Sequence, residues 1–154
     1  MAGSKFKNIN RIRPAAVHFE TYAYYTNALP GTREYYDYWD TEKTRCLYGY
    51  TADEGTEDAL YITGFHYFYL NYCPIDRAVD EVMPDGSIQS KRERTFPSFY
   101  DGDHDYFTEI DKARSTNRHM VVLKARRKGY SYKAGSMLAR NYFFVKNSKN
   151  FVFA

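Results

Sequence analysis

Cysteine is scarce in this 154-residue chain, tryptophan occurs once and proline five times. Cys46 and Cys73 match no metal-ligand spacing, so neither a zinc site nor a disulfide framework is expected. Both are read as reduced, buried thiols. No run approaches the roughly 20 apolar residues that cross a bilayer, and Met1 to Lys7 is followed by no apolar signal region. A soluble intracellular protein with no membrane partner is expected. His18, His66, His104 and His119 have no carboxylate or cysteine at metal spacing. Asp101, Asp103 and Asp105 lack the glycine and distal glutamate of a calcium loop, and are read as first-turn acids of a helix.

Aromatic residues, by contrast, make up 19% of the chain, with 17 Tyr and 11 Phe, and 44% is hydrophobic. That composition excludes a disordered tail and allows a packed domain with many phenolic hydroxyls. The net charge of +3 conceals a division. From Lys112 to Ala154 there are 11 of the 22 Lys and Arg and no acid, leaving 11 cations against 19 acids, or −8, before it. A one-signed segment that also carries apolar elements suits a polyanion, either nucleotide phosphate or a nucleic-acid backbone.

Along the chain, the stretch to about Pro30 reads as a partly ordered arm, basic at first and then aromatic at Phe19, Tyr22, Tyr24 and Tyr25. From Thr32 the apolar positions Tyr35, Tyr36, Trp39, Cys46 and Leu47 predict an amphipathic helix up to Gly49. Thr51 to Asp58 reads as an acidic loop. Leu60 to Tyr72 is so uniformly apolar that a strand, a helix or one of each fits, with Pro74 closing it. Pro84-Asp85-Gly86-Ser87 between pairable flanks predicts a hairpin. From Asp103, Tyr106, Phe107, Ile110 and Ala113 form one helical face, with acids first and Lys112 and Arg114 last, as the helix dipole favours. Met120 to Leu123 reads as a buried parallel strand, Lys124 to Tyr130 as a basic turn, and Ser131 to Val145 as a helix. The apolar face of that helix is expected at Ala134, Met137, Leu138, Tyr142 and Val145. Phe151 to Ala154 reads as a further strand.

A strand feeding a glycine-containing loop that opens a helix is the setting of a phosphate-binding loop, because amides at the helix N-terminus point at an anion. Here the loop is Lys124-Ala125-Arg126-Arg127-Lys128-Gly129-Tyr130-Ser131. Against G-x-x-x-x-G-K-[S/T] it keeps Gly129 and Ser131, but has Lys124 at the first glycine and Tyr130 in place of lysine. Lys124, Lys128 and Lys133 are each placed to supply the missing charge.

With lysine at its start, the run Lys124, Arg127, Gly129, Tyr130, Ser131 resembles the variant Walker A of large terminase subunits of tailed bacteriophages. The resemblance covers Phe96 to Ala154, and the aromatic stretches Tyr35 to Tyr50 and Tyr61 to Phe68 also look like the N-terminal region of some of these proteins. It implies a P-loop NTPase-type α/β fold, incomplete here, over residues 96–154, preceded by an aromatic-rich, mostly helical region with a hairpin over 1–95. It implies ATP and Mg2+ as cofactors. Lys124 would contact the outer phosphates, the loop from Ala125 to Tyr130 would cradle them, and Ser131 would bind the metal. Arg126 or Arg127 would stabilise transition-state charge. Phe96 and Tyr100 are the candidates for stacking on adenine.

The implied protein is a DNA-packaging motor with a downstream nuclease, acting in the cytoplasm of an infected bacterial host. Its implied partners are double-stranded DNA, a portal protein, a small terminase subunit and further copies in a ring on the procapsid. Walker B and the nuclease carboxylates are not in this chain, so the chain by itself is expected not to hydrolyse ATP. The alternative is a non-enzymatic module whose basic segment tracks phosphates while aromatics stack on bases.

Overall fold

The computed structural model describes residues 9–123 and 129–150. It is a mixed helical and sheet structure. A 3-10 turn at Ile9–Ile12 leads into α1 (Pro14–Tyr22), then α2 (Arg33–Tyr48), β1 (Tyr50–Ala52), β2 (Leu60–Ile62), α3 (Gly64–Tyr72), β3 (Ile75–Val82), β4 (Ile88–Thr95), α4 (Asp101–Ser115) and α5 (Tyr130–Phe144). Among the described residues the sheets are two antiparallel pairs, β1 with β2 and β3 with β4.

The organising element is α3. Residues Gly64 to Asn71 are all buried, which explains why Leu60 to Tyr72 shows no polar face: a helix apolar all round is one enclosed on every side. The run resolves into one strand and one helix, with the Thr63 side chain accepting from the His66 amide at the helix start. Phe65, Tyr67, Phe68 and Leu70 share the core with Ile12, Cys46, Ile62, Phe99 and Phe107. Burying each large side chain there contributes roughly 1.5–3 kcal/mol. Because Gly64 crosses the end of α2, a Cβ on it would lie 2.5 Å from the Cys46 carbonyl oxygen.

The helix expected from Thr32 to Gly49 is α2, with the Thr32 side chain capping the Tyr35 amide. The helix expected from Asp103 is α4, acidic in its first turn and basic in its last. The hairpin is longer than its turn chemistry suggested, with Asp76 opposite Arg94 and Arg77 opposite Glu93 in its register. It is exposed along most of its length. Arg77 donating to Ser98 Oγ (2.9 Å) and Tyr132 donating to the Asp76 carbonyl (3.4 Å) tether its base.

Three expectations are corrected. The stretch read as a partly ordered arm is, from Ile9 onward, a 3-10 turn and a helix seated in the core: Ile12, Ala15 and Ala16 are buried. What fixes them is Asn71, whose side-chain carbonyl accepts from the Ala15 and Ala16 amides while its amide donates to the Ile12 and Tyr67 carbonyls. A buried asparagine thus caps the start of α1 from another helix. Second, residues 120–123 form no strand, and Val121 and Leu123 are 87% and 96% exposed. A parallel strand needs a neighbour for its backbone groups, and no described strand lies beside this one. Third, the inward stripe of α5 is Lys133, Ser136 and Arg140, whereas Tyr142 is 78% exposed. The Asp103 carboxylate on α4 and the terminal carbonyls of α2 turn this helix from the face its apolar spacing suggested. The strand expected at Phe151 to Ala154 lies outside the described residues.

Arg140 is one such case. Its Nε and Nη2 donate to the carbonyls of Cys46 and Leu47 at 2.9 and 2.8 Å, closing the C-terminal turn of α2. Its guanidinium also lies 4.5 Å from the centre of the Phe65 ring, with that of Arg114 at 4.7 Å. Cys46 and Cys73 are free thiols, the former buried, and burial pushes the Cys73 thiol up to about 12. No helix among the described residues is long and apolar enough to cross a membrane.

Candidate functional site

Of the loop singled out by the sequence, Lys124, Ala125, Arg126, Arg127 and Lys128 lie outside the described residues. The structure does place the remainder. Gly129 occupies the position before α5 in the left-handed conformation (φ 69°, ψ 15°), which glycine adopts without penalty. No side chain caps the helix there, and its first turn holds no acid. Ser131 is exposed at the second helical position. Such a start leaves a partial positive charge and outward-facing amides.

Beneath this end of α5 lies a charged pair. The Lys133 ammonium bonds the Asp103 carboxylate of α4, and both residues are buried. Two tyrosines complete the enclosure: the ammonium lies 4.2 Å from the Tyr130 ring centre and 5.5 Å from that of Tyr106. These rings meet edge to face at 5.0 Å. Burial raises the Asp103 carboxyl above the ordinary carboxylate range, with Lys133 pulling the other way. The pair therefore fixes the start of α5 against α4. Lys133, one of three lysines placed to reach a phosphate, is already committed to a carboxylate.

The two adenine-stacking candidates fall in different settings. Phe96 is buried and meets Phe19 edge to face at 5.7 Å, so its ring is part of the packing. Tyr100 is 57% exposed and precedes α4, one turn before Asp103. It is therefore tied to the Gly129 end of α5 through the Asp103–Lys133 pair. No cluster of three or more His, Cys, Asp or Glu able to hold a metal occurs among the described residues.

Two buried polar centres were not anticipated. Glu42, on α2, accepts from Arg45 (2.5 Å), Tyr67 Oη (2.7 Å) and Tyr72 Oη (2.6 Å), so one carboxylate joins α2 to two turns of α3. His66 is fully buried between the rings of Phe99 (5.4 Å) and Phe107 (4.9 Å), both nearly parallel to it. Neither of its ring nitrogens has a hydrogen-bond partner among the described residues. Burial first, then His104 and Lys133, lowers its pKa to about 3, so the ring is neutral. Its sequence context, Gly64-Phe65-His66-Tyr67, carries no signal separating such a histidine from a ligand.

No protein-family model matches the chain, and comparisons with curated proteins and with solved structures return no match. The functional reading therefore rests on the residues and geometry above.

Proposed function

We propose that this chain supplies the N-terminal part of an ATP-driven DNA-packaging motor of the large terminase type. In this reading nucleotide binds where Gly129 opens α5, in an incomplete P-loop NTPase-type fold. The observation that supports it is the start of α5: a left-handed glycine, an exposed Ser131, no capping side chain and no first-turn acid, directly after the basic sequence Lys124-Ala125-Arg126-Arg127-Lys128. Helix amides and fixed cations together form the ordinary recognition of a polyphosphate.

In the proposed arrangement Lys124 contacts the outer phosphates, Arg126 or Arg127 offsets charge on the transferred phosphoryl group, and Ser131 ligates Mg2+. Because Lys133 is held by Asp103, the cation on the phosphates comes from the loop, and Lys124 is assigned that role on its variant Walker A position. Tyr100 is the better-exposed of the two stacking candidates. Double-stranded DNA, a portal protein, a small subunit and a ring of copies belong to the same proposal, as does action in the cytoplasm of an infected bacterium.

A second reading, a non-enzymatic nucleic-acid-binding module, has one observation in its favour. Tyr142 and Phe143 are 78% and 68% exposed, close in sequence to Lys146 and Lys149, an aromatic and basic combination suited to single strands. The charge reversal Lys124→Glu separates the two. Titration with Mg-ATP followed by calorimetry should show binding to the wild-type chain and none to the variant, with DNA affinity nearly intact. Unchanged nucleotide affinity, or a small general loss of DNA affinity alone, refutes the motor reading.

A further inference from the structure

A groove lies between α2 and the segment 24–30. Its two lobes are open clefts of about 520 and 460 Å³ that share Thr26 and Ala28. The first lobe is lined along α2 by Glu34, Asp37, Tyr38 and Thr41, the spacing of one helical stripe. The second is aromatic, with Tyr24, Tyr25, Tyr35 and Trp39 beside Leu29 and Pro30.

The charge of the first lobe is unbalanced. Glu42 there is saturated by its three donors, and Arg45 is occupied by Glu42 and by the face of Tyr50 at 4.6 Å. Among the described residues, the Asp37 carboxylate meets the solvated Arg33 alone, at 3.6 Å, and Glu34 has no partner. One carboxylate of the groove thus has, among the described residues, no cation to answer it, and the other has only a solvated one. The aromatic lobe is held in shape: Trp39 packs edge to face on Tyr25, Tyr35 and Tyr38 at 5.9, 6.1 and 5.1 Å, and His18 bonds the Tyr24 carbonyl at 2.7 Å.

We propose that this groove docks an extended, proline-containing polypeptide segment with an arginine or lysine at one end, supplied by a partner protein. Preformed polyproline segments lie on aromatic-lined grooves with little entropy left to lose. The carboxylate lobe takes the cation. The α2 wall from Glu34 to Arg45 is about 16 Å long at 1.5 Å per residue, which matches about five residues at 3.1 Å each in a polyproline helix. A nucleic acid is disfavoured because its phosphates would meet Glu34 and Asp37.

Trp39 is the sole tryptophan, so its fluorescence reports directly on the groove. The wild-type chain is titrated with an arginine-flanked polyproline peptide, its glutamate-flanked counterpart and an arginine-flanked glycine–serine peptide, with calorimetry in parallel. Saturable binding is expected for the first alone. The double variant Glu34→Gln, Asp37→Asn should weaken it about fivefold, as two surface charge pairs allow. Tyr35→Ala should abolish it, with circular dichroism confirming that the fold is kept. No saturable response by either method, an equal response to the glutamate-flanked peptide, or displacement by a single-stranded oligonucleotide overturns the proposal.

Discussion

Lowering the pH from about 7.5 to about 5 tests the environment of His66 quantitatively. In the unfolded chain an imidazole titrates near pH 6.5, whereas in the folded protein burial between Phe99 and Phe107 lowers the value to about 3. The folded pKa is the depressed one, so below about 6.5 the unfolded state binds a proton that the folded state refuses. Stability from this group is complete above about pH 6.5 and is lost toward pH 3, with a slope of about 1.4 kcal/mol per pH unit. At pH 5 the loss is about 2 kcal/mol, a sizeable share of the 5–15 kcal/mol that holds a typical domain together. Other groups titrate over the same range, so the informative quantity is the difference between wild type and His66→Phe in urea unfolding followed by circular dichroism. The variant removes the ionisable group and two nitrogens that have no partner among the described residues. Relief of about 1–3 kcal/mol of unsatisfied polarity then opposes a similar overpacking cost, leaving neutral-pH stability near that of wild type. The two proteins should converge at about pH 7.5 and differ by about 2 kcal/mol at pH 5. Parallel pH profiles, or a variant that loses more than about 3 kcal/mol at neutral pH, would refute the reasoning.

Removing the acid of the buried pair with Asp103→Asn strands the Lys133 ammonium and should cost about 3–5 kcal/mol, whereas the double change Asp103→Leu, Lys133→Met should be close to neutral. Thermal melts of both variants check this, and equal losses would show that packing rather than charge dominates. Glu42→Ala leaves Arg45, Tyr67 Oη and Tyr72 Oη without their shared acceptor. A loss of at least about 3 kcal/mol is expected in urea titrations, while a loss under about 1 kcal/mol would mean that water replaces the carboxylate. Gly64→Ala forces a Cβ against the Cys46 carbonyl and should cost about 1–3 kcal/mol by the same measurement.

The elements most legible in the sequence were those with local instructions. The capping Thr32 and terminal Gly49 set the ends of α2, and the turn residues Pro84 to Ser87 set the β3–β4 hairpin. The face of α5 was legible only in part: Met137 packs against the core as its spacing suggested, whereas Tyr142 and Val145 are exposed. Its apolar residues are spaced for burial, but the buried positions belong to Lys133 and Arg140, each paired with a group far away in sequence. No periodicity reveals that Asp103 waits 30 residues upstream or that the α2 carbonyls need a donor. The start of α1 failed for the same reason, since its cap is Asn71, supplied by α3. Met120 to Leu123 shows the converse: four apolar residues suggest burial, but without a neighbouring strand among the described residues Val121 and Leu123 stay exposed.

The buried pair under α5 also bears on how a phosphate site there would work. A lysine in the first turn of a helix is commonly read as a ligand for the anion at that N-terminus. Here Lys133 points into the protein, its charge answered by Asp103 and covered by Tyr106 and Tyr130. Withdrawing it to meet a phosphate would leave Asp103 buried and alone, at a cost comparable to the gain. The pair is therefore better understood as the footing that sets the direction of α5, so that Gly129 and Ser131 are presented outward at a fixed place. Charge for a polyphosphate bound there would then have to come from Lys124, Arg126, Arg127 and Lys128 ahead of Gly129. On the proposed reading a division of labour follows, in which Lys133 builds the helix position and the lysines of the preceding loop would meet the phosphates.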